Sequence, residues 1–302
     1  MQAPATSTTS LDRRGLGFGL GAYLIWGFLP LYFLLLAGVT AGEIVADRVV
    51  WSLALLIGIL AVAGRFGKLV AVLRNPRTLG LLAISAALIS VNWLIYIWAV
   101  QNGHVLGASL GYFLNPLVNV LLGVVVLGER LKRMQMAAVA LAAVGVAVLA
   151  SGAGTGLWIS LSLAFSFGLY GLMRKIAPVE SLEGLTVETA LLTPFALAYM
   201  AWLASNDALV FGDAPGLTAL LVLAGAVTAV PLLLFAGAAR LLPYSTLGLL
   251  QYLAPTLQFV LAITVFGEAM TTAHIVCFAL IWAGLALYVL SSVRKPRPVP
   301  AA

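Results

Sequence analysis

The sequence predicts an all-α polytopic membrane protein: ten transmembrane helices as two inverted five-helix repeats, with both termini in the cytoplasm. Composition is the first observation behind that prediction. The chain of 302 residues is 63% hydrophobic and only 9% charged, with a mean hydropathy of +1.10. Soluble domains carry about 25% charged residues. The second observation is a series of apolar runs, each near the roughly 20 residues that cross about 30 Å of hydrocarbon. The third is an internal echo between "NPLVNVLLGVVVLGERL" at 115–131 and "APTLQFVLAITVFGEAM" at 254–270.

The first run, 15–36, follows Arg13-Arg14 and is longer than the roughly 7–15 apolar residues of a signal-peptide core, so it is a true span. The second, 44–63, holds Asp47 and Arg48. The third, 78–98, follows the cation-bearing stretch "RFGKLVAVLRNPR" (65–77). The fourth, 105–127, ends on Gly128-Glu129, and the fifth is 134–151. The sixth, 156–173, ends at Arg174-Lys175; the seventh, 185–204, precedes a gap without cations. The eighth, 215–237, stops before Arg240. The ninth, 244–266, ends on Gly267-Glu268, and the tenth is 272–292. Backbone groups in lipid must be satisfied within the segment, and these runs are too long for barrel strands, so they are helices. Pro30, Pro116, Pro194, Pro231 and Pro255 are expected to interrupt the spans.

The formal net charge of +6 suggests nucleic acid until the cations are placed. Apart from Arg48, every Lys and Arg lies at 13–14, 65–77, 130–133, 174–175, 240 or 294–297, which are alternate gaps. The gaps between them hold Glu43, His104, Asp207, Asp213 and Glu268 but no cation. The positive-inside rule therefore puts both tails, 1–14 and 293–302, in the cytoplasm and excludes a nucleic-acid partner. "RFGKLVAVLRNPR" sets topology or lies along the inner headgroups.

The echo divides the chain. Pro116 and Pro255 are 139 positions apart, as are Glu129 and Glu268, Tyr112 and Gln251, and Asn119 and Gln258; Gly27 and Gly168 match at 141. The halves are 15–151 and 152–292. Five spans is an odd number, so the second half enters the membrane inverted, as in secondary transporters with a midplane site.

These residues carry a resemblance. "NWLIYIWAVQNGHVLGASLGYFLNPLVNVLLGVVVLGERL" (92–131) and "DRVVWS" (47–52) resemble the drug/metabolite transporter superfamily with two EamA-type repeats, and more narrowly its RarD-type permeases. The similarity covers all ten spans, the second half only in general pattern. It implies a permease or exporter of the cell (inner) membrane. Gly107 departs from it, standing where the family is associated with an acid.

Tyr112, Asn115 and Asn119 share one face of span four; Gln251 and Gln258 share one face of span nine. They either line a central cavity or join helices by amide hydrogen bonds. Asn92, Trp93 and Tyr96 in span three, with Trp51 in span two, form a stacking wall or ordinary packing; Tyr23 and Trp26 are weaker candidates. Trp98 and Trp202 sit where interfacial belts do. Arg48 is costly in hydrocarbon. It either binds a substrate carboxylate or phosphate, or snorkels outward to Glu43. Asp47 and Glu188, with His104 behind them, are coupling candidates; Glu188 lies 140 positions after Arg48.

Catalysis finds little support. His104 and His274 stand apart and Cys277 is the single cysteine, so no metal ligand cluster is expected. No phosphate loop or nucleophile elbow occurs, and no cofactor is expected. The expected activity is secondary transport of a small organic solute, driven by an ion or proton gradient or running as facilitated diffusion or exchange. A membrane enzyme and a channel are the alternatives. The partners are that solute and the bilayer, and the chain is compatible with a homodimer.

Overall fold

The computed structural model describes residues 12–127, 133–152, 156–241 and 250–293. Its helices are α1 Arg13–Leu35, α2 Ala41–Ala63, α3 Phe66–Leu73, α4 Pro76–Gln101, α5 Val105–Leu127, α6 Arg133–Gly152, α7 Leu157–Ile176, α8 Ser181–Ser205, α9 Pro215–Leu241, α10 Leu253–Thr264 and α11 Thr272–Val293. No strand occurs among the described residues. Six of these helices, α1, α2, α4, α7, α8 and α9, are long and apolar enough to cross a membrane, with further apolar helix at 105–115, 253–264 and 272–284. The fold is that of a multi-pass membrane protein.

Local chemistry sets the helix ends. Asp12 caps α1 by accepting from the backbone N–H groups of Arg14 and Gly15. Asn75 does the same for α4, with Pro76 at its first position. Thr40 caps α2 through the Glu43 N–H. This last cap starts α2 before the apolar run does, so Glu43 lies in its first turn and is buried, rather than in an exposed gap. Glu183 sits likewise in the first turn of α8.

The prolines do not interrupt the helices as the sequence suggested. α1, α8 and α9 run through Pro30, Pro194 and Pro231, and Pro255 lies in the first turn of α10. Pro30 shows why this is tolerated. It has no N–H for the Trp26 carbonyl one turn back; Gln258 Nε2, from α10, donates to that oxygen at 3.0 Å instead.

Packing joins early helices to late ones. α2 lies on α8 and α9, α4 on α7 and α8, α1 on α9 and α10, α5 on α7 and α10, and α6 on α11. One core contains Phe33, Tyr96, Phe113, Leu163 and Phe278 from five helices. At the α2–α9 crossing, a Cβ on Gly225 would overlap the Trp51 backbone, so glycine sets how closely these helices approach.

Carboxylates tie the helix ends together. At the cation-rich end, Arg65 donates through Nε to Glu183 Oε1 at 2.7 Å and through Nη2 to Glu180 Oε2 at 2.7 Å; Lys68 also reaches Glu180. At the cation-poor end, Glu43 Oε1 accepts from the Val210 and Phe211 N–H groups at 2.8 and 2.9 Å. There too, Gly267 takes a left-handed φ of 63° after α10. Glu268 beside it accepts from the free N–H groups of Val105 and Leu106 at 2.5 and 2.9 Å, capping α5 from the segment that follows α10. The Gly-Glu element of the echo thus acts in this half as a remote helix cap.

Burial raises the Glu268 carboxyl above the usual glutamate range, against the lowering effect of its two backbone donors. A raised folded-state value means that the folded chain binds this proton more tightly than the unfolded chain. Its contribution to stability is complete below the unfolded value of about 4.3 and is lost as pH rises through the folded one. Melting temperatures of the wild type and Glu268→Gln, whose amide stands in for the protonated carboxyl, should agree on the acid side of that window and separate as pH rises, the wild type falling below the variant. An equal difference at every pH would show that Glu268 does not titrate there.

Candidate functional site

Arg48 is the centre of the buried polar structure. It points inward from α2, is 4% exposed, and donates through Nε to Thr228 Oγ1 on α9 at 2.8 Å. Thr228 in turn donates to the Ala224 carbonyl. The guanidinium carbon lies 4.7 Å from the Trp93 ring centre and 5.5 Å from that of Phe33, within cation–π range. Nη1 is buried without a protein partner. The head therefore does not snorkel to Glu43, whose Oε1 is held by the 210–211 turn.

A ladder of rings leads away from this cation. Phe33 meets Tyr96 at 5.9 Å, Tyr96 meets Tyr112 at 5.4 Å, Tyr112 meets Phe167 at 6.0 Å, and Phe167 meets Tyr170 at 5.8 Å. The phenols of Tyr32, Tyr96 and Tyr112 all lie within reach of the Arg48 charge. Tyr96 is 2% exposed and its hydroxyl has no protein partner. Tyr170, at the far end, lies within reach of both Arg174 and Glu188. Glu188 is buried, accepts from Ser85 Oγ at 2.6 Å, and sits 3.4 Å from Arg174 Nη1.

Asn92 braces the ladder from one side. Its Nδ2 donates to the Leu163 carbonyl at 3.1 Å and to Ser166 Oγ at 2.9 Å, while its Oδ1 accepts from the Tyr112 hydroxyl at 3.1 Å. One amide thus joins α4, α5 and α7. Gln258 joins α10 to α1 through Trp26. Each amide still differs from the other: Gln258 Oε1 is buried without a protein partner, as is Asn115 Oδ1 on α5, whereas Asn92 uses both ends.

The remaining candidates are dispersed. Asp47 is fully buried on another face of α2 from Arg48, and neither of its oxygens has a protein partner. Trp51 stacks on Phe211 at 6.0 Å. Its Nε1 is directed toward Asp47 one turn back without reaching hydrogen-bond geometry. Gln251 is partly buried in the turn before α10. His104 stacks on Trp98 at 5.6 Å at the cation-poor end. Tyr23 and Trp26 pack with Phe235, in a cluster of their own. Gly107 gives its carbonyl to Ser160 Oγ of α7 at 2.7 Å. The Asn119 side chain, Glu129 and Arg130 lie outside the described residues.

Sequence reasoning missed Glu43, Thr228 and the α7 rings. Glu43 had a usable signal: Thr40-Ala41-Gly42-Glu43 is a capping-box pattern, and Glu183 lies 140 positions later, the spacing that separates Arg48 from Glu188. Phe167 and Tyr170 had none, because aromatics in an apolar helix look alike whether they face lipid or protein.

Comparison with known proteins agrees with this architecture. Residues 13–151 match the EamA-like transporter family. The chain is 45% identical over 286 residues to protein RarD of Escherichia coli K12, covering 94% of this chain and 97% of that protein. It is 48% identical over 291 residues to an uncharacterized transporter of Pseudomonas aeruginosa, covering 95% and 97%. A crystal structure of a chain 22% identical shares the fold, with a TM-score of 0.61 over 93% of this chain and 99% of that one. The chain therefore belongs to the EamA-like transporter family, among its RarD-type permeases, and is a multi-pass membrane transporter.

Proposed function

We propose that the protein is a secondary transporter of the inner membrane, moving a small organic solute by alternating access. Ten spans would form two inverted repeats, 15–151 and 152–292, with the cation-rich end in the cytoplasm. Helix packing supports the repeat. Exchanging α1, α2, α4, α5 and α6 for α7, α8, α9, α10 and α11 converts each large contact into another or into itself. The α5–α7 contact becomes α1–α10, α4–α7 becomes α1–α9, and α2–α9 becomes α4–α8, while α2–α8, α5–α10 and α6–α11 are unchanged. Polar pairs follow the same exchange. Arg48 with Thr228 joins α2 to α9, and Glu188 with Ser85 joins α8 to α4.

One observation carries the function: an aromatic ladder runs from a buried guanidinium with a free N–H, Arg48, to the Arg174–Glu188 pair near the other end. Arg48 Nη1 suits an anionic or carbonyl oxygen, and the Trp93 and Phe33 faces suit an apolar or ring-bearing body beside it. The solute class that fits is an organic anion or zwitterion with an apolar part. No nucleotide-binding motif is present, so gradient coupling or exchange would supply any concentrating power.

The test compares metabolites inside and outside cells producing the wild type or a Tyr96→Ala/Tyr112→Ala double variant, at matched membrane levels and matched melting temperature. At least one organic acid should redistribute several-fold with the wild type alone, and purified protein in liposomes should carry it with saturable kinetics. Equal redistribution by both proteins would remove the ladder from the path. Non-saturating flux would favour a channel.

A further inference from the structure

We propose that Asp47 is a proton-carrying group of the transport cycle, poised by Glu43 and exposed when the 210–211 turn leaves α2. The inference rests on the transporter reading above and goes beyond it by naming the coupling ion and its site.

Glu43 and Asp47 are one helical turn apart on α2 and both are fully buried. Two carboxylates so close in a dry site do not both ionise. Their surroundings decide which one keeps the charge. Glu43 Oε1 accepts two backbone N–H groups, from Val210 and Phe211, while its Oε2 is buried without a protein partner. Asp47 has no protein donor on either oxygen. A charge on Asp47 would be buried without compensation, which costs several kcal/mol, so Asp47 carries the proton.

The groups around it do not alter that assignment. Arg48 follows Asp47 directly but diverges by about 100° on the helix, and its Nε is engaged with Thr228. From α1, Tyr32 lies within electrostatic range of Asp47 and gives its hydroxyl to the Leu220 carbonyl. α9 bears no acid, lysine or histidine. α8 brings the Tyr199 phenol against Gly42, while its acids Glu183 and Glu188 are bonded to Arg65 and to Ser85. From α4, Tyr96 lies within reach of Arg48.

The same turn touches both ends of this strip. Phe211 gives its N–H to Glu43 and stacks its ring on Trp51. Withdrawal of the turn removes the donors that hold the Glu43 charge and admits water to Asp47. The Asp47 O–H bond then breaks, its proton passing to water on the Glu43 side and leaving the aspartate hydrated. Reclosure requires a proton to return from water to that oxygen. Proton release is thereby tied to opening of one end, the arrangement that gradient coupling needs. Glu188 lacks it, being already bonded to Ser85 and paired with Arg174.

Infrared difference spectra between acid and alkaline buffer, taken on the full-length protein in lipid nanodiscs, read this directly and need no solute. The wild type and Glu188→Gln should share the carbonyl band of a buried, weakly bonded carboxylic acid, and Asp47→Asn should lose it. Glu43→Gln should keep the band but move its titration to more acid pH by about one unit, a tenfold change in proton affinity, because a neighbouring negative charge is gone. A band that survives in Asp47→Asn, or a midpoint unmoved in Glu43→Gln, would overturn the assignment. The Glu43→Gln arm decides the matter even where Asp47→Asn does not fold. Loss of the proton site leaves saturable flux in liposomes untouched as evidence, and absence of flux leaves the band untouched, so the two readings fail separately.

Discussion

Replacing Arg48 with Met is expected to lower transport by about 100-fold or more while leaving the chain as stable as the wild type, or more stable. Truncating one partner of a buried, hydrogen-bonded charge pair costs about 2–5 kcal/mol of binding, and about 2.7 kcal/mol is already 100-fold. Stability should move the other way. A buried guanidinium bears a desolvation penalty that an apolar side chain of similar volume avoids. Met can keep the contacts with Trp93 and Phe33. Thr228 is not orphaned, since it remains bonded to the Ala224 carbonyl. Arg48→Lys should also lose at least about tenfold. Its ammonium cannot bond Thr228 through one nitrogen while presenting another on the same rigid fork, and it stacks less well on the two rings. The checks are initial rates in liposomes, with the organic acid found by the metabolite comparison, and melting temperature in detergent. A structural arginine would give a lower melting temperature in both variants with flux falling in proportion. Unchanged flux in Arg48→Met would remove Arg48 from the binding site.

Arg48 was legible because a charge within an apolar run stands out against its neighbours, and hydrocarbon forbids it to be idle. Where its head points was not legible, because Thr228 lies 180 residues away on α9. Glu43 shows the opposite case. An acid at the edge of a run reads as a solvated gap residue, yet the Thr40 cap draws it into α2 and the 210–211 turn buries it. The all-helical, apolar character of the chain followed from local composition. Pro30 was misread for a tertiary reason: the Trp26 carbonyl that it leaves without a helical donor finds one in a side chain from α10. Asn92 and Gln258, singled out as candidates for a cavity wall, are buried amides. Pattern alone could not assign them between solute binding and helix joining, since both uses place an amide on an inward face. Their bonds to Leu163, Ser166 and Trp26 show the second use.

Bridging either end of the molecule is expected to lower transport at least tenfold, and reversibly. At the cation-rich end, Arg65 holds Glu183 and Glu180, and Lys68 holds Glu180, so the α2–α3 connection is fastened to α8. At the cation-poor end, Glu43 of α2 fastens the 210–211 turn beyond α8. Alternating access requires each fastening to release once per cycle, so a covalent bridge at one end stalls the cycle even when the other end is free. Lys68→Cys/Glu180→Cys is the more informative pair. Its native contact is partly exposed on both sides, 59% and 40%, so losing it costs little stability, about 0–1 kcal/mol, and the thiols are open to reagent. Cys277 is fully buried and does not compete for the label. With a short, reducible bifunctional reagent, flux into liposomes should fall at least tenfold and return on reduction, whereas either single cysteine with the same reagent should keep its rate. A bridged protein that still conducts at the unbridged rate would mean that the cation-rich end need not open. The path would then be a fixed pore, and the inverted repeats would be architecture without a rocking motion.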